Sequence, residues 1–156
     1  MSTIHVLAPV GGRAVALADV PDPVFSAGMV GFGAAVDPPR EVVDAVAPVS
    51  GKLLKLMPHA YVVLTAEGVG ILVHLGLDTV ALKGEGFTAH ANEGDDVTAG
   101  QVIIRYYVPA IEAKGLNPVV PVVVMDEREA ANVVPSESVF EGAQIPSGAE
   151  LFTANK

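Results

Sequence analysis

His59, His74, Asp78 and Thr79 lie close enough in the chain to work as one chemical site. Imidazole titrates near neutrality, so it can act as nucleophile, proton carrier or metal ligand. The two histidines flank a pair of apolar, β-branched runs, Tyr61-Val62-Val63-Leu64-Thr65 and Gly70-Ile71-Leu72-Val73, with Ala66-Glu67-Gly68-Val69 between them. Short apolar runs around a glycine-containing turn read as a β-hairpin. With Glu67-Gly68 as the turn, Tyr61 opposes His74 and His59 opposes Gly76. Both imidazoles then share one face as diagonal neighbours. A half-residue shift of the turn would separate them onto opposite faces. Two imidazoles on one face can hold a metal or a phosphoryl group, or one can support the other as nucleophile. The plainer reading is two histidines satisfied at a sheet rim. Against it, Leu75-Gly76-Leu77-Asp78-Thr79-Val80 supplies a glycine, a carboxylate and a hydroxyl where no core strand needs them. For His74 to act as a nucleophile, one ring nitrogen must be held as a donor so that the other presents its lone pair. A backbone carbonyl close after it, for instance at Gly76, is the expected holder.

The elements that must position these groups are short. Sixteen glycines and twelve prolines cut the chain into strands of about five residues, the pattern of an all-β sandwich or barrel. His5 to Leu17 reads as two strands broken at Pro9 and Gly11-Gly12, and Val30 to Val36 and Val119 to Met125 as further strands. Pro21 to Ala27 and Pro109 to Lys114 read as short helices, and Asp126 to Glu129 as a solvated turn or short helix. Ala8-Pro9-Val10-Gly11-Gly12 recurs as Ala47-Pro48-Val49-Ser50-Gly51, and glycine-bounded units follow at Gly94 to Gly100 and Gly142 to Gly148. Internal repeats of this kind imply a duplicated β architecture. No segment carries sustained helical periodicity.

Composition bounds the function. The 156 residues suit one domain, 1–156, and 51% hydrophobic with 17% charged residues argues against disorder. With 5% aromatics the core must be aliphatic. The absence of cysteine rules out disulfides and thiolate zinc sites. A formal net charge of −9 with scattered basic residues excludes a nucleic-acid surface and suits a basic partner. No run is long and apolar enough to span a bilayer, so the expectation is a cytoplasmic protein.

The run from Gly68 to Val80 resembles the phosphorylation-site signature of the glucose-type enzyme IIA family, phosphocarriers of the bacterial sugar phosphotransferase system. Ala8-Pro9-Val10, Asp19 to Phe25, Ala47 to Gly51, His59-Ala60, Leu82 to Phe87 and Asn117 to Val120 are similar to the same family, in order along nearly the whole chain. The resemblance implies an antiparallel-rich β-sandwich or barrel with short helical turns, the duplicated hybrid motif. It implies that His74 accepts a phosphoryl group from the phosphohistidine of the phosphocarrier protein HPr. The group would then pass to the IIB domain of a glucose-type permease, the chain's only link to a membrane. His59 would steady the group, Asp78 would face the donor's basic surface, and Gly76 and Thr79 would support the site. No cofactor is required. Two positions depart from the family pattern: Phe32 stands where many members have aspartate, and Met57 where many have threonine. Phe32 bears on the donor interface if Gly31-Phe32-Gly33 lies beside His74, and Met57 removes a hydroxyl that could orient His59.

Two other classes compete. His74-x-x-x-Asp78 has the spacing of one corner of a lysostaphin-like zinc hydrolase, but catalytic zinc takes three protein ligands and only the lone His90 follows. Zinc held by His59 and His74 with a partner's carboxylate is the weaker form of that idea. A lipoyl- or biotin-type carrier is suggested by Gly94 to Val102, but Lys83 lacks the flanking residues of an attachment site. His5 and His90 read as surface or strand-end residues.

Overall fold

The computed structural model describes residues 3–155. The chain runs β1 (Thr3–Leu7), β2 (Gly12–Ala16), a 3-10 turn (Leu17–Asp19), α1 (Pro23–Ser26), β3 (Gly31–Asp37), β4 (Val42–Val46), β5 (Gly51–Met57), β6 (Ala60–Leu64) and β7 (Gly70–His74). A second 3-10 turn (Thr79–Leu82) leads to β8 (Phe87–Ala89), β9 (Asp96–Val97), β10 (Val102–Tyr107), α2 (Val108–Ala113) and β11 (Val120–Met125). A third (Ala130–Asn132) precedes β12 (Val133–Pro135), α3 (Glu137–Glu141), β13 (Gln144–Ile145) and β14 (Glu150–Asn155). Prolines act as the sequence implies. Pro23 opens α1 with the Asp22 carboxylate accepting from the Val24 N–H, and Pro109 sits in the first turn of α2. Asp126 to Glu129 forms a turn rather than a helix.

Eight strands form a curled antiparallel sheet in the order β13-β2-β3-β11-β7-β6-β5-β9. Two three-stranded sheets, β1-β14-β12 and β4-β10-β8, complete the architecture. The fold is the antiparallel, strand-rich one expected. Its duplication is written in the backbone hydrogen bonds. Leu7 N–H donates to Pro48 O and Val46 N–H to Pro9 O, both at 2.9 Å, so the two Ala-Pro-Val repeats bind each other. Gly148 N–H donates to Ala8 O and Gly100 N–H to Ala47 O, again both at 2.9 Å. Gly12 pairs with Ile145 as Gly51 pairs with Val97. Each glycine lies against a neighbouring strand where a Cβ would strike a carbonyl oxygen, Asp37 O at 2.2 Å or Leu64 O at 2.1 Å.

Alternation along the strands divides the apolar residues between two clusters. Tyr61, Val63, Ile71, Val73, Val122 and Val124 belong to the main core with Ile104, Tyr106, Leu151 and Phe152. Ala60, Val62, Leu72, Ala35 and Val123 form a smaller cluster with Leu17, Val20 and Phe25 from the first 3-10 turn and the α1 region. The main core is dominated by Val, Ile and Ala, as the low aromatic content requires.

The β6–β7 register differs from the expected one. Ala60 pairs with His74 and Tyr61 with Val73, one residue from the Tyr61–His74 pairing that a two-residue Glu67-Gly68 turn would give. The connection is the three-residue loop Ala66-Glu67-Gly68. Thr65 N–H donates to Val69 O, the Thr65 hydroxyl accepts from Val69 N–H, and Gly68 takes the left-handed conformation at φ 83°. A threonine cap plus a left-handed glycine favours this odd-length loop over a two-residue turn.

Candidate functional site

Strand alternation alone would put the two histidines on opposite faces in this register, yet their rings meet. Their centroids are 5.0 Å apart in an edge-on arrangement at 74°. The reason is that His59 is not a strand residue. Met57 pairs with Ala60, so Pro58-His59 is the two-residue turn between β5 and β6, free of the pleat. The His59 carbonyl accepts from Leu75 N–H at 2.8 Å, fixing the turn against the end of β7. Ala60, directly opposite His74, has only a methyl group to crowd the space between the rings. His59 is buried at 8% exposure and His74 is half-buried.

His74 Nδ1 lies 2.6 Å from Gly76 O. A carbonyl oxygen only accepts, so Nδ1 carries the proton and Nε2 keeps its lone pair. Gly76 takes φ +84°. A Cβ there would lie 2.6 Å from Thr79 Cγ2, 3.0 Å from Tyr106 Oη and 3.2 Å from Asn117 O. The Gly76→Ala variant is therefore expected to lose about 2 to 4 kcal/mol of stability, from left-handed strain and overpacking together. Denaturant unfolding of the variant measures it, and a loss under 1 kcal/mol would show that the loop adjusts freely.

Thr79 is fully buried, and its hydroxyl donates to Leu75 O at 2.7 Å. It braces the loop from inside and does not face a partner. Asp78 is exposed and takes φ 61°, at the start of the 3-10 turn. Phe25, which the histidine spacing gave no reason to single out, places its ring 5.2 Å from that of His74. The signal for it was its place at the end of the Asp19 to Phe25 segment.

Phe32 is not brought to the histidines. Val124 of β11 pairs with both Phe32 and Ile71, so Phe32 lies level with Ile71, about 10 Å along the sheet from the His74 row. Its half-buried ring packs against the main core and over Gly28, where a Cβ would come within 2.5 Å of it. It fills the loop between α1 and β3 in place of a charged group. Met57 is 40% exposed and offers no hydroxyl to His59.

Burial lowers the His74 pKa below its ordinary 6.5, against the hydrogen bond to Gly76 and the charges of Asp22 and Asp78, which raise it. Burial lowers His59 as well, helped by repulsion from a charged His74. Both imidazoles are thus neutral at pH 7. Because each folded-state pKa lies below its unfolded value, the unfolded chain binds protons first as pH falls. The pair's contribution is complete above about pH 6.5 and is lost as pH drops through the lowered folded values. Thermal melts from pH 7.5 to 5 should show falling stability, with a shallower slope in a His59→Gln, His74→Gln double variant. Parallel slopes would show that other groups govern the acid limb.

Among the described residues no group of three or more His, Cys, Asp or Glu side chains is placed to hold a metal. The zinc-hydrolase reading, which needs three protein ligands, is not supported. Zinc at His59 and His74 would depend on ligands from outside this chain. His5 pairs with Glu150 at the surface, His90 is exposed at the end of β8, and Lys83 lies in the loop after the second 3-10 turn. None of them joins the site.

A protein-family model for the phosphoenolpyruvate-dependent sugar phosphotransferase system, EIIA 1, matches residues 4–130. The glucose-specific EIIA component of Oceanobacillus iheyensis is 40% identical over 91% of this chain and 88% of its own length. That of Haemophilus influenzae is 40% identical over 87% of this chain and 86% of its own. The mannose-specific EIIBCA component of Corynebacterium glutamicum is 41% identical over 78% of this chain, in a stretch that makes up 18% of that longer protein. Among solved structures, glucose permease IIA from Mycoplasma capricolum superimposes with a TM-score of 0.84 at 30% identity, covering 98% of this chain and 96% of that one. With a family model spanning most of its length and relatives about 40% identical over up to 91% of it, the chain belongs to the EIIA 1 family of the phosphoenolpyruvate-dependent sugar phosphotransferase system.

Proposed function

We propose that Nε2 of His74 accepts a phosphoryl group from the phosphohistidine of HPr and passes it to the IIB domain of a glucose-type permease. The observation that carries this reading is the bond from His74 Nδ1 to Gly76 O, which leaves Nε2 neutral and unprotonated. In the first transfer the Nε2 lone pair forms the new N–P bond as the donor's N–P bond breaks, its electron pair returning to the donor ring. In the second, the bond to Nε2 breaks in turn and the acceptor's nucleophile takes the group. His59, at 5.0 Å between centroids, donates a hydrogen bond to the phosphoryl oxygens during transfer. Asp22 and Asp78 act on the charge at His74 and disfavour a dianion there, which suits a group that must leave again.

A relay also needs a surface on which two proteins can dock in turn. Val24, Met57 and Val80 flank Phe25, His59 and Asp78 in sequence and are 45%, 40% and 65% exposed. They supply apolar contact around the histidines, with Asp78 as the charge for a basic donor. The EIIBCA proteins of Corynebacterium glutamicum join A, B and C components in one chain, which supports a IIB domain as acceptor. Glucose- and mannose-specific relatives point to a hexose as the sugar served. Residues 1–156 are taken as one EIIA domain that needs no cofactor and works on the cytoplasmic side. No helix among the described residues is long and apolar enough to cross a membrane.

The test is incubation with phosphoenolpyruvate, enzyme I and HPr, followed by intact mass. The expected result is a gain of one acid-labile phosphoryl group that disappears when a IIB domain and sugar are added. No gain in mass would overturn the reading.

A further inference from the structure

We infer that Tyr106 is a positioning residue for phosphoryl transfer: its hydroxyl, through Pro118 and Asn117, fixes the peptide plane that selects the reactive tautomer of His74. The inference rests on His74 being the phosphoryl acceptor. Tyr106 lies in β10, fully buried, its ring stacked on Phe87 at 5.5 Å and 16°. Its hydroxyl donates to Pro118 O at 2.9 Å and lies 3.0 Å from where a Gly76 Cβ would be. Burial pushes the phenol pKa well above its ordinary value, so the group remains a donor throughout the working pH range.

The segment that Tyr106 holds is the one that holds Gly76. Gly76 N–H donates to Val119 O at 3.1 Å, and Leu77 N–H to Asn117 O at 2.8 Å. The Asn117 side chain in turn accepts from Val119 N–H at 3.0 Å, closing the segment on itself. Gly76 C=O and Leu77 N–H belong to one planar trans peptide, so their bonds point in opposite directions. Tying Leu77 N–H to Asn117 therefore aims Gly76 O away from that segment, and His74 Nδ1 is what it meets. Glycine at φ +84° has no side chain to restrict that plane, so its orientation depends on these outside bonds. Tyr106 is the buried side chain that anchors them, and it touches neither histidine.

The experiment uses the full chain with Tyr106→Phe, which keeps the ring and deletes one hydroxyl. Nitrogen-15 NMR of the His74 ring reads the tautomer directly and needs no donor protein. The expected result is a ratio of Nε2–H to Nδ1–H tautomer raised about 3- to 10-fold over wild type, the range one net hydrogen bond commands. The labelling rate by HPr should fall in proportion to the share of Nδ1–H tautomer that is lost. Asn117→Ala, at an exposed position, loosens the same segment from its other side and should shift the tautomer in the same direction. It stands in should Tyr106→Phe fold poorly. A lower melting temperature with an unchanged tautomer ratio in both variants would overturn the inference. Failure of wild-type protein to be labelled would instead count against His74 as acceptor, whatever the tautomer result.

Discussion

His74→Ala is expected to abolish phosphorylation, with the rate of labelling by HPr reduced about a thousandfold or more, the scale on which removal of a nucleophile is felt. No other imidazole is equipped to replace it. His5 is engaged with Glu150, and His90 is exposed with none of the flanking groups. His59 is close by but more deeply buried than His74. Alanine also deletes the group that uses the Gly76 carbonyl, but the hydrogen bonds of Gly76 and Leu77 N–H to the Asn117–Val119 segment remain. The variant should therefore fold, with circular dichroism and melting close to wild type. Intact mass after incubation with the donor system, alongside the melt, separates loss of the nucleophile from loss of the fold. Labelling of a well-folded His74→Ala chain at the wild-type rate would show that the carrier histidine lies elsewhere.

His59→Gln is expected to split the two half-reactions. Glutamine keeps a hydrogen-bond donor near the phosphoryl oxygens but cannot exchange a proton as imidazole does. Acceptance from HPr should stay within a few-fold of wild type, because the lone pair on His74 is set by Gly76 and not by His59. Onward transfer to a IIB domain should fall by about a hundredfold, the lower end of what a positioned acid–base group contributes. The substitution also removes an aromatic neighbour of His74 and ends the repulsion between the two imidazoles. Single-turnover measurement of each step decides the matter. Normal sugar phosphorylation by this variant in the complete system would take His59 out of the mechanism.

Much of this protein was legible before any coordinates. Glycine and proline punctuation gave short strands because those residues impose backbone angles whatever surrounds them, and β1, β2, β3 and β11 fall where expected. The duplication was visible as repeated Ala-Pro-Val, and the hydrogen bonds that join the repeats confirm it. A neutral nucleophilic imidazole needs one nitrogen occupied, which points to a carbonyl close after His74, Gly76 for instance, and Gly76 O is the one that His74 Nδ1 meets. Local rules and local chemistry are properties of the chain, and they transfer directly to the fold.

What tertiary structure decided was everything that depends on which strands are neighbours and how the loops close. The pairing of β6 with β7 is offset by one residue from the simplest hairpin, because the Thr65 cap and the left-handed Gly68 choose a three-residue loop. In that register the pleat would separate His59 from His74. Only the turn between β5 and β6, which frees His59 from strand alternation, reunites them. Phe32 lies level with Ile71 rather than with His74 because β11 sets β3 in register with β7, a relation that spans distant parts of the chain. Phe25 and Tyr106 reach the site from α1 and β10, and their partners, His74 and Pro118, are far enough away in sequence that no spacing rule connects them. A sequence specifies such contacts only through the folded whole, since each depends on packing that several elements settle together.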